Sequence, residues 1–322
     1  MQAITDYKAD LLQRYWKYRG TQFANEQALF DPRYIKPTSP PVFIRSEACR
    51  NVIINPAASE QEKKKLLDLI PKGEWHKWFG SMNSSQALAQ SVLGNLAVYG
   101  FLSCLSELKD DEGVELFGKT EISSDNFKME HKIDYLSEPR QTSLDGYFSG
   151  DYRIAIECKF TESEVGTCSR PRLKRTASNF ESEHCDGTYS FQRQRKERCS
   201  LTEIGVSYWD YVPQLFKWKN DSNHNPCPLN KNYQLVRNIL AAGVKPNGSV
   251  SPNNGHIILI YDARNPAFQE GGNGLIAYTE TRNALREPMM LRKCSWQRIV
   301  QHMRDNNILP WLTEHLAQKY GF

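Results

Sequence analysis

No stretch of this 322-residue chain approaches the run of about 18 apolar residues that a membrane span needs, so no membrane partner is expected. Its N-terminus, MQAITDYKADLLQRYWKYRG, is charged throughout and lacks the apolar centre of a secretion signal. A cytoplasmic protein is therefore expected. None of the eight cysteines forms a C-x-x-C pair, and in a chain of this length reduced thiols are the expectation rather than a disulfide framework. Internal repeats and low-complexity tracts are missing, which excludes solenoids, collagen-like fibres and disordered chains. Net charge is nearly missing as well: 41 Lys+Arg against 37 Asp+Glu leaves +4. That balance excludes a bulk polycation and moves the question to where the surplus sits.

Several segments have clear periodicity. Residues 6–19 are amphipathic, with Leu11, Leu12, Tyr15 and Trp16 on one side, and a proline-rich connector follows. Residues 59–70 (SEQEKKKLLDLI) carry a Ser cap and a Glu three residues on, so a short helix is expected there. From Asn83 the sequence NSSQALAQSVLGNLAVYG places Leu88, Val92 and Leu96 at helical spacing. Then the pattern changes. Segments 128–136, 142–150 and 151–162 read as three successive strands. Residues 232–243 read as a helix, and HIILIYDA (256–263) as a strand buried on both faces. GNGLIAYTE (272–280) reads as a further strand, and two helices (296–305 and 309–320) close the chain. The class expected is α/β, a mixed central β-sheet flanked by helices, with an N-terminal helical region over 1–82 and the main domain over 83–322.

The chemistry concentrates in the meander. Asp145 lies in its second strand, and Glu157-Cys158-Lys159 closes its third. A hairpin between them sets the two carboxylates side by side, a hard-oxygen pair suited to Mg²⁺, with Mn²⁺ as a substitute. The Cys158 carbonyl is a further ligand candidate, whereas its side chain points into the core. Strand alternation puts Lys159 on the face of Glu157, where an ammonium can orient a water and offset phosphate charge. Glu130 in the first strand is a weaker additional carboxylate, and His131 beside it reads as a surface residue. These parts suit metal-assisted phosphodiester hydrolysis.

Leu144-Asp145 followed by Ile156-Glu157-Cys158-Lys159, between a long apolar helix and a later helix and buried strand, resembles the PD-(D/E)XK nuclease superfamily over residues 83–265. Leu144 replaces the usual proline. SSQALAQSVLGNL and YQLVRNIL are also similar to segments of a bacterial group of restriction endonucleases. The resemblance implies a restriction-endonuclease-like core and a Mg²⁺-dependent DNA endonuclease of restriction, phage defence or mobile-element processing. In it Asp145 and Glu157 hold the metal and Lys159 positions the water. It implies supporting roles for Gln86 on the first helix and Gln234 on the later one, and products bearing a 5′-phosphate and a 3′-hydroxyl. It also implies a homodimer or a partner protein. Alternatives are an exonuclease of the same chemistry, an RNA-directed nuclease, or a non-catalytic DNA-binding module within a larger complex.

Residues 170–198 hold eight cations (Arg170, Arg172, Lys174, Arg175, Arg193, Arg195, Lys196 and Arg198) against four acids, equal to the whole net surplus. This basic insertion, at about 164–230, is the expected DNA-contacting segment. Cys168, Cys185, Cys199 and Cys227 fall in or just beyond it, with His184 and His224 as alternatives, so a structural Zn²⁺ is a second cofactor expectation. An iron–sulfur cluster, known in some nucleases of the superfamily, has weaker spacing support. Trp16, Trp75 and Trp78 lie near Lys and Arg residues and read either as nucleic-acid stacking groups or as a small helical core.

Overall fold

The computed structural model describes residues 2–118, 122–168, 185, 187, 199–218 and 226–322. Helices α1 (Gln2–Gln22) and α2 (Glu60–Asp68) lie in the N-terminal region, joined mostly by 3₁₀ turns. Ser59 starts α2 with the expected capping box: its hydroxyl accepts from the Glu62 amide while the Glu62 carboxylate receives the Ser59 amide. The apolar segment after Asn83 is one helical rod in three parts, α3 (Ser85–Ala89), a π turn over Gln90–Gly94, and α4 (Asn95–Val98). Strands β1 (Phe127–Ile133), β2 (Thr142–Phe148) and β3 (Arg153–Cys158) follow. Then come α5 (Ser200–Glu203), α6 (Tyr208–Leu215), α7 (Leu229–Gly243), β4 (Gly255–Tyr261), α8 (Asn273–Ala284), β5 (Leu291–Ser295), α9 (Trp296–Asp305) and α10 (Pro310–Tyr320).

The five strands form one mixed sheet in the order β1-β2-β3-β4-β5, antiparallel from β1 to β3 and parallel from β3 to β5. β3 and β4 are buried along their whole length, as expected for central strands covered on both faces. One apolar cluster, including Tyr15, Val92, Ile156, Trp296 and Tyr320, covers one face. A second, including Val212, Leu240, Ala155 and Leu259, covers the other. The expected α/β class with a mixed sheet therefore holds.

One expected element needs correction, and others were not foreseen. Residues 273–284 are helix α8 rather than a strand. Gly274, Ala277, Tyr278 and Thr281 are its buried positions, a spacing of three and four that belongs to a helix. Strand β5 was not foreseen, and residues 200–215, assigned to the insertion, include two short helices with Tyr208, Val212 and Leu215 buried.

Two local features set up the site. β1 and β2 keep one register on either side of a break: Met129 pairs with Gly146 and His131 with Leu144. In between, Glu130 takes φ +47°, and the side chains change faces. β2 in turn pairs with β3 only from Gly146–Phe148 to Ile154–Ile156, so the strands part where Asp145 meets Glu157. A second feature ties the chain's two ends together. Lys319, buried in α10, donates to the Asn51 carbonyl (2.6 Å) and Oδ1 (2.8 Å). Asn51 Nδ2 donates in turn to the Phe79 and Ser81 carbonyls at 2.7 and 2.6 Å.

Candidate active site

Where β2 leaves β3, a side chain takes over from the ladder: Asp145 Oδ2 accepts the Cys158 amide at 2.6 Å. This charge-assisted bond keeps the carboxylate at the open fork of the sheet. Glu157 and Lys159, two residues apart, meet on one face with Nζ 2.7 Å from Oε1, both side chains almost fully buried. Helix α7 supplies the rest. Gln234 Nε2 donates to Glu157 Oε1 at 2.6 Å while Lys159 Nζ donates to Gln234 Oε1 at 2.9 Å. Asn238, one turn on, donates from Nδ2 to Glu157 Oε2 at 2.6 Å. Four of the expected residues, Asp145, Glu157, Lys159 and Gln234, are thus brought together. Asn238 was missed, and its signal was the i,i+4 spacing from Gln234 on the helix face packed against β3.

The electrostatics follow from crowding acids in a buried fork. Burial first, then Glu157 and Glu130, pushes the Asp145 carboxyl well above the usual range. Burial likewise raises Glu130. For Lys159 burial opposes the charge, but Glu157, Glu162 and Asp145 outweigh it and its pKa is raised. The lysine is therefore a cation at neutral pH, a hydrogen-bond donor and not a base.

Gln86 reaches this site through Glu130. Its Nε2 donates to Glu130 Oε1 at 2.5 Å and to the Glu74 carbonyl at 3.1 Å, while its Oε1 accepts the His76 amide at 2.8 Å. Ser143 holds the other Glu130 oxygen at 2.5 Å. The amide of Gln86 thus clamps the loop at 74–76 onto β1 and orients Glu130. His131 stacks on Tyr147 with ring centroids 4.4 Å apart.

These residues open into a cleft of about 990 Å³. Glu130, Asp145, Glu157 and Lys159 line it, together with residues 75–78 and Tyr34. The three tryptophans behave differently. Trp16 donates to the Ser39 carbonyl (3.0 Å), and Trp75 donates to the Ile70 carbonyl (3.1 Å) and stacks on Phe79 at 4.6 Å. Trp78 is 41% exposed and faces the cleft.

The donor chemistry fits a hard divalent cation: Glu157 and Glu130 stand close enough to raise the buried Asp145 carboxyl, and a cation would relieve that negative charge. Among the described residues no group of three or more His, Cys, Asp or Glu is arranged to hold a metal by itself. A Mg²⁺ that keeps most of its waters does not require one. The cysteines are unbridged. Cys185, Cys199 and Cys227 are buried in one apolar cluster, with Cys168 packed against it, yet they form no such metal-holding group. His184, His224 and all eight cations of the basic segment (170, 172, 174, 175, 193, 195, 196 and 198) lie outside the described residues.

One motif escaped the sequence reading. Residues 113–120, GVELFGKT, have the G-x-x-x-x-G-K-T spacing of a phosphate-cradling loop. Such a loop works between a strand and a helix N-terminus. Here a 3₁₀ turn (Leu102–Glu107) precedes it and β1 is the next described element, so among the described residues that context is lacking. Among them, too, no helix is long and apolar enough to cross a membrane.

A family model described as Restriction Endonuclease associating with ARP (REase-ARP) matches residues 18–321. No curated protein and no solved structure matches the chain.

Proposed function

The chain belongs to the REase-ARP family, and on that premise we propose that it is a Mg²⁺-dependent DNA endonuclease of the PD-(D/E)XK type. The observation that carries this reading is the pairing of Asp145, held on the Cys158 amide, with the Glu157–Lys159 contact across one sheet fork. Asp145, Glu157 and the Cys158 carbonyl would hold the cation, which when bound supplies a more acidic water and neutralises phosphate charge. Lys159, kept protonated by its acidic neighbours, donates from Nζ toward the attacking water and the scissile phosphate. Gln234 and Asn238 fix the Glu157 carboxylate so that its oxygens do not rotate away. Hydrolysis in line would leave a 5′-phosphate and a 3′-hydroxyl.

The test is cleavage of plasmid and linear DNA in Mg²⁺ or Mn²⁺ by wild type, Asp145→Ala and Lys159→Ala. Wild type should nick or linearise plasmid, and each variant should lose activity by on the order of 10²-fold or more. A second reading rests on the family's description, which names association with ARP. In that case the chain is a DNA-binding subunit of a complex with such a partner. Intact plasmid and linear DNA, retarded in a gel by wild type, would select it.

A further inference from the structure

The part of the cleft lining that carries Trp78 is built unlike the rest of it. Trp78 is among the most exposed large apolar side chains of the described residues, at 41%. Its loop is held by backbone bonds of its own: the Phe79 amide donates to the His76 carbonyl (2.8 Å) and the Ser81 amide to the Trp78 carbonyl (2.9 Å). Tyr34 meets the indole edge-on at 5.8 Å, and Lys77 Nζ lies 5.7 Å from its ring centre. An indole fixed in this way beside a catalytic cleft presents a flat apolar face at little entropic cost.

Beyond Trp78 the loop borders a second cavity of about 520 Å³, which shares Tyr34, Trp75, His76, Lys77 and Trp78 with the cleft. Arg45 and Lys72 also line it, both exposed and without an ion pair among the described residues. Arg33 is there too but is tied to Asp31 at 2.6 Å. The two cavities therefore form a path from Asp145 over an aromatic face to a cluster of cations. A flat apolar face followed by positive charge is what a base followed by its phosphates requires.

We propose that this path is a subsite for single-stranded nucleic acid, with the base next to the scissile phosphate unpaired and stacked on Trp78, and the following phosphates lying on Lys77, Lys72 and Arg45. The proposal rests on the nuclease reading for the identity of the strand, and it assigns as the substrate class a strand unpaired at the scissile position, which a plasmid offers only where its duplex opens. A fully paired duplex has no free base face to give to Trp78.

The test is fluorescence anisotropy in EDTA, with a labelled mixed-sequence single-stranded DNA and the same strand in a blunt duplex. Wild type should prefer the single strand. Trp78→Ala should weaken single-strand binding by about 5- to 150-fold, and Trp78→Phe by less. Phe101→Ala, an aromatic of similar exposure (40%) outside both cavities, should leave binding as it was. Lys72→Ala and Arg45→Ala should each lower the slope of log affinity against log salt by roughly 0.7. An RNA strand of the same sequence tells which sugar the path accepts. Equal single-strand binding by wild type and Trp78→Ala, or a duplex preference that Trp78→Ala leaves intact, overturns the proposal even if DNA is cleaved. A loss on Trp78→Ala upholds it even if no variant cuts DNA, so the two readings fail separately.

Discussion

Gly166 sits at φ +111°, and a Cβ there would lie 2.3 Å from Gln234 Oε1. Its carbonyl also accepts from the Gln234 backbone N–H at 3.4 Å. A side chain at this position would strain its own backbone and push away the amide that bridges Glu157 and Lys159. Gly166→Ala should therefore lose both ~1–3 kcal/mol of stability and DNA cleavage. Gly100→Ala, also at positive φ (+75°) but facing open space, should lose stability alone. Thermal melts and a plasmid assay on the two variants separate the effects. Asn238→Ala should leave Glu157 Oε2 short of a donor and lower cleavage about tenfold with the fold intact, which a melt and kcat measurement would check. At this scale the shared face of Glu157 and Lys159 was legible, because strand alternation over two residues is a local rule. Asn238 was passed over despite its place one turn after Gln234, because the carboxylate it holds lies 81 residues away.

Among the elements, the meander was legible because its strands alternate and are separated by turn residues. β4 was legible because an unbroken apolar run can only be central. β5 is five residues long with Arg292 and Lys293 half-buried in its middle, so it carries neither signal. α8 was misread because Leu275 and Ile276 look like a strand, whereas Gly274, Ala277 and Thr281, which do the packing, are small. β4 also carries a pH dependence. At its start the buried His256 donates from Nε2 to the Leu116 carbonyl (3.0 Å), which leaves Nδ1 to accept from the Tyr152 hydroxyl (3.0 Å). Burial, then Arg292, pushes its pKa down to about 3. An unfolded histidine takes its proton near 6.5. Between those values the unfolded chain holds more protons, so stability falls as pH drops from about 6.5 toward about 3. Urea unfolding over that range should show the loss, with a shallower slope in His256→Leu.

Taken as one molecule, the chain is braced by a lysine. Burial pushes the Lys319 ammonium down to about 7, against about 10.4 when exposed. Above about 7 the unfolded state holds more protons, so this residue makes stability rise with pH up to about 10. Lys319→Met should flatten the denaturation midpoint against pH over that window. This brace was hidden: a lysine in HLAQKYGF reads as a helix surface, and its acceptor is 268 residues away. The N-terminal region was the least legible part, since its 3₁₀ turns have no period to detect. The sequence reading nevertheless placed the charge surplus correctly in residues 170–198, as arithmetic alone can.

The Lys319–Asn51–Phe79 chain of hydrogen bonds also has an order in time. The carboxylates at 145 and 157 leave the ribosome long before residue 319 is made. Asn51, which holds the Phe79 and Ser81 carbonyls beside Trp78, gains its own brace only once α10 has docked. A half-translated chain thus carries both acids and the Trp78 loop, yet still lacks the lysine that braces Asn51 beneath that loop.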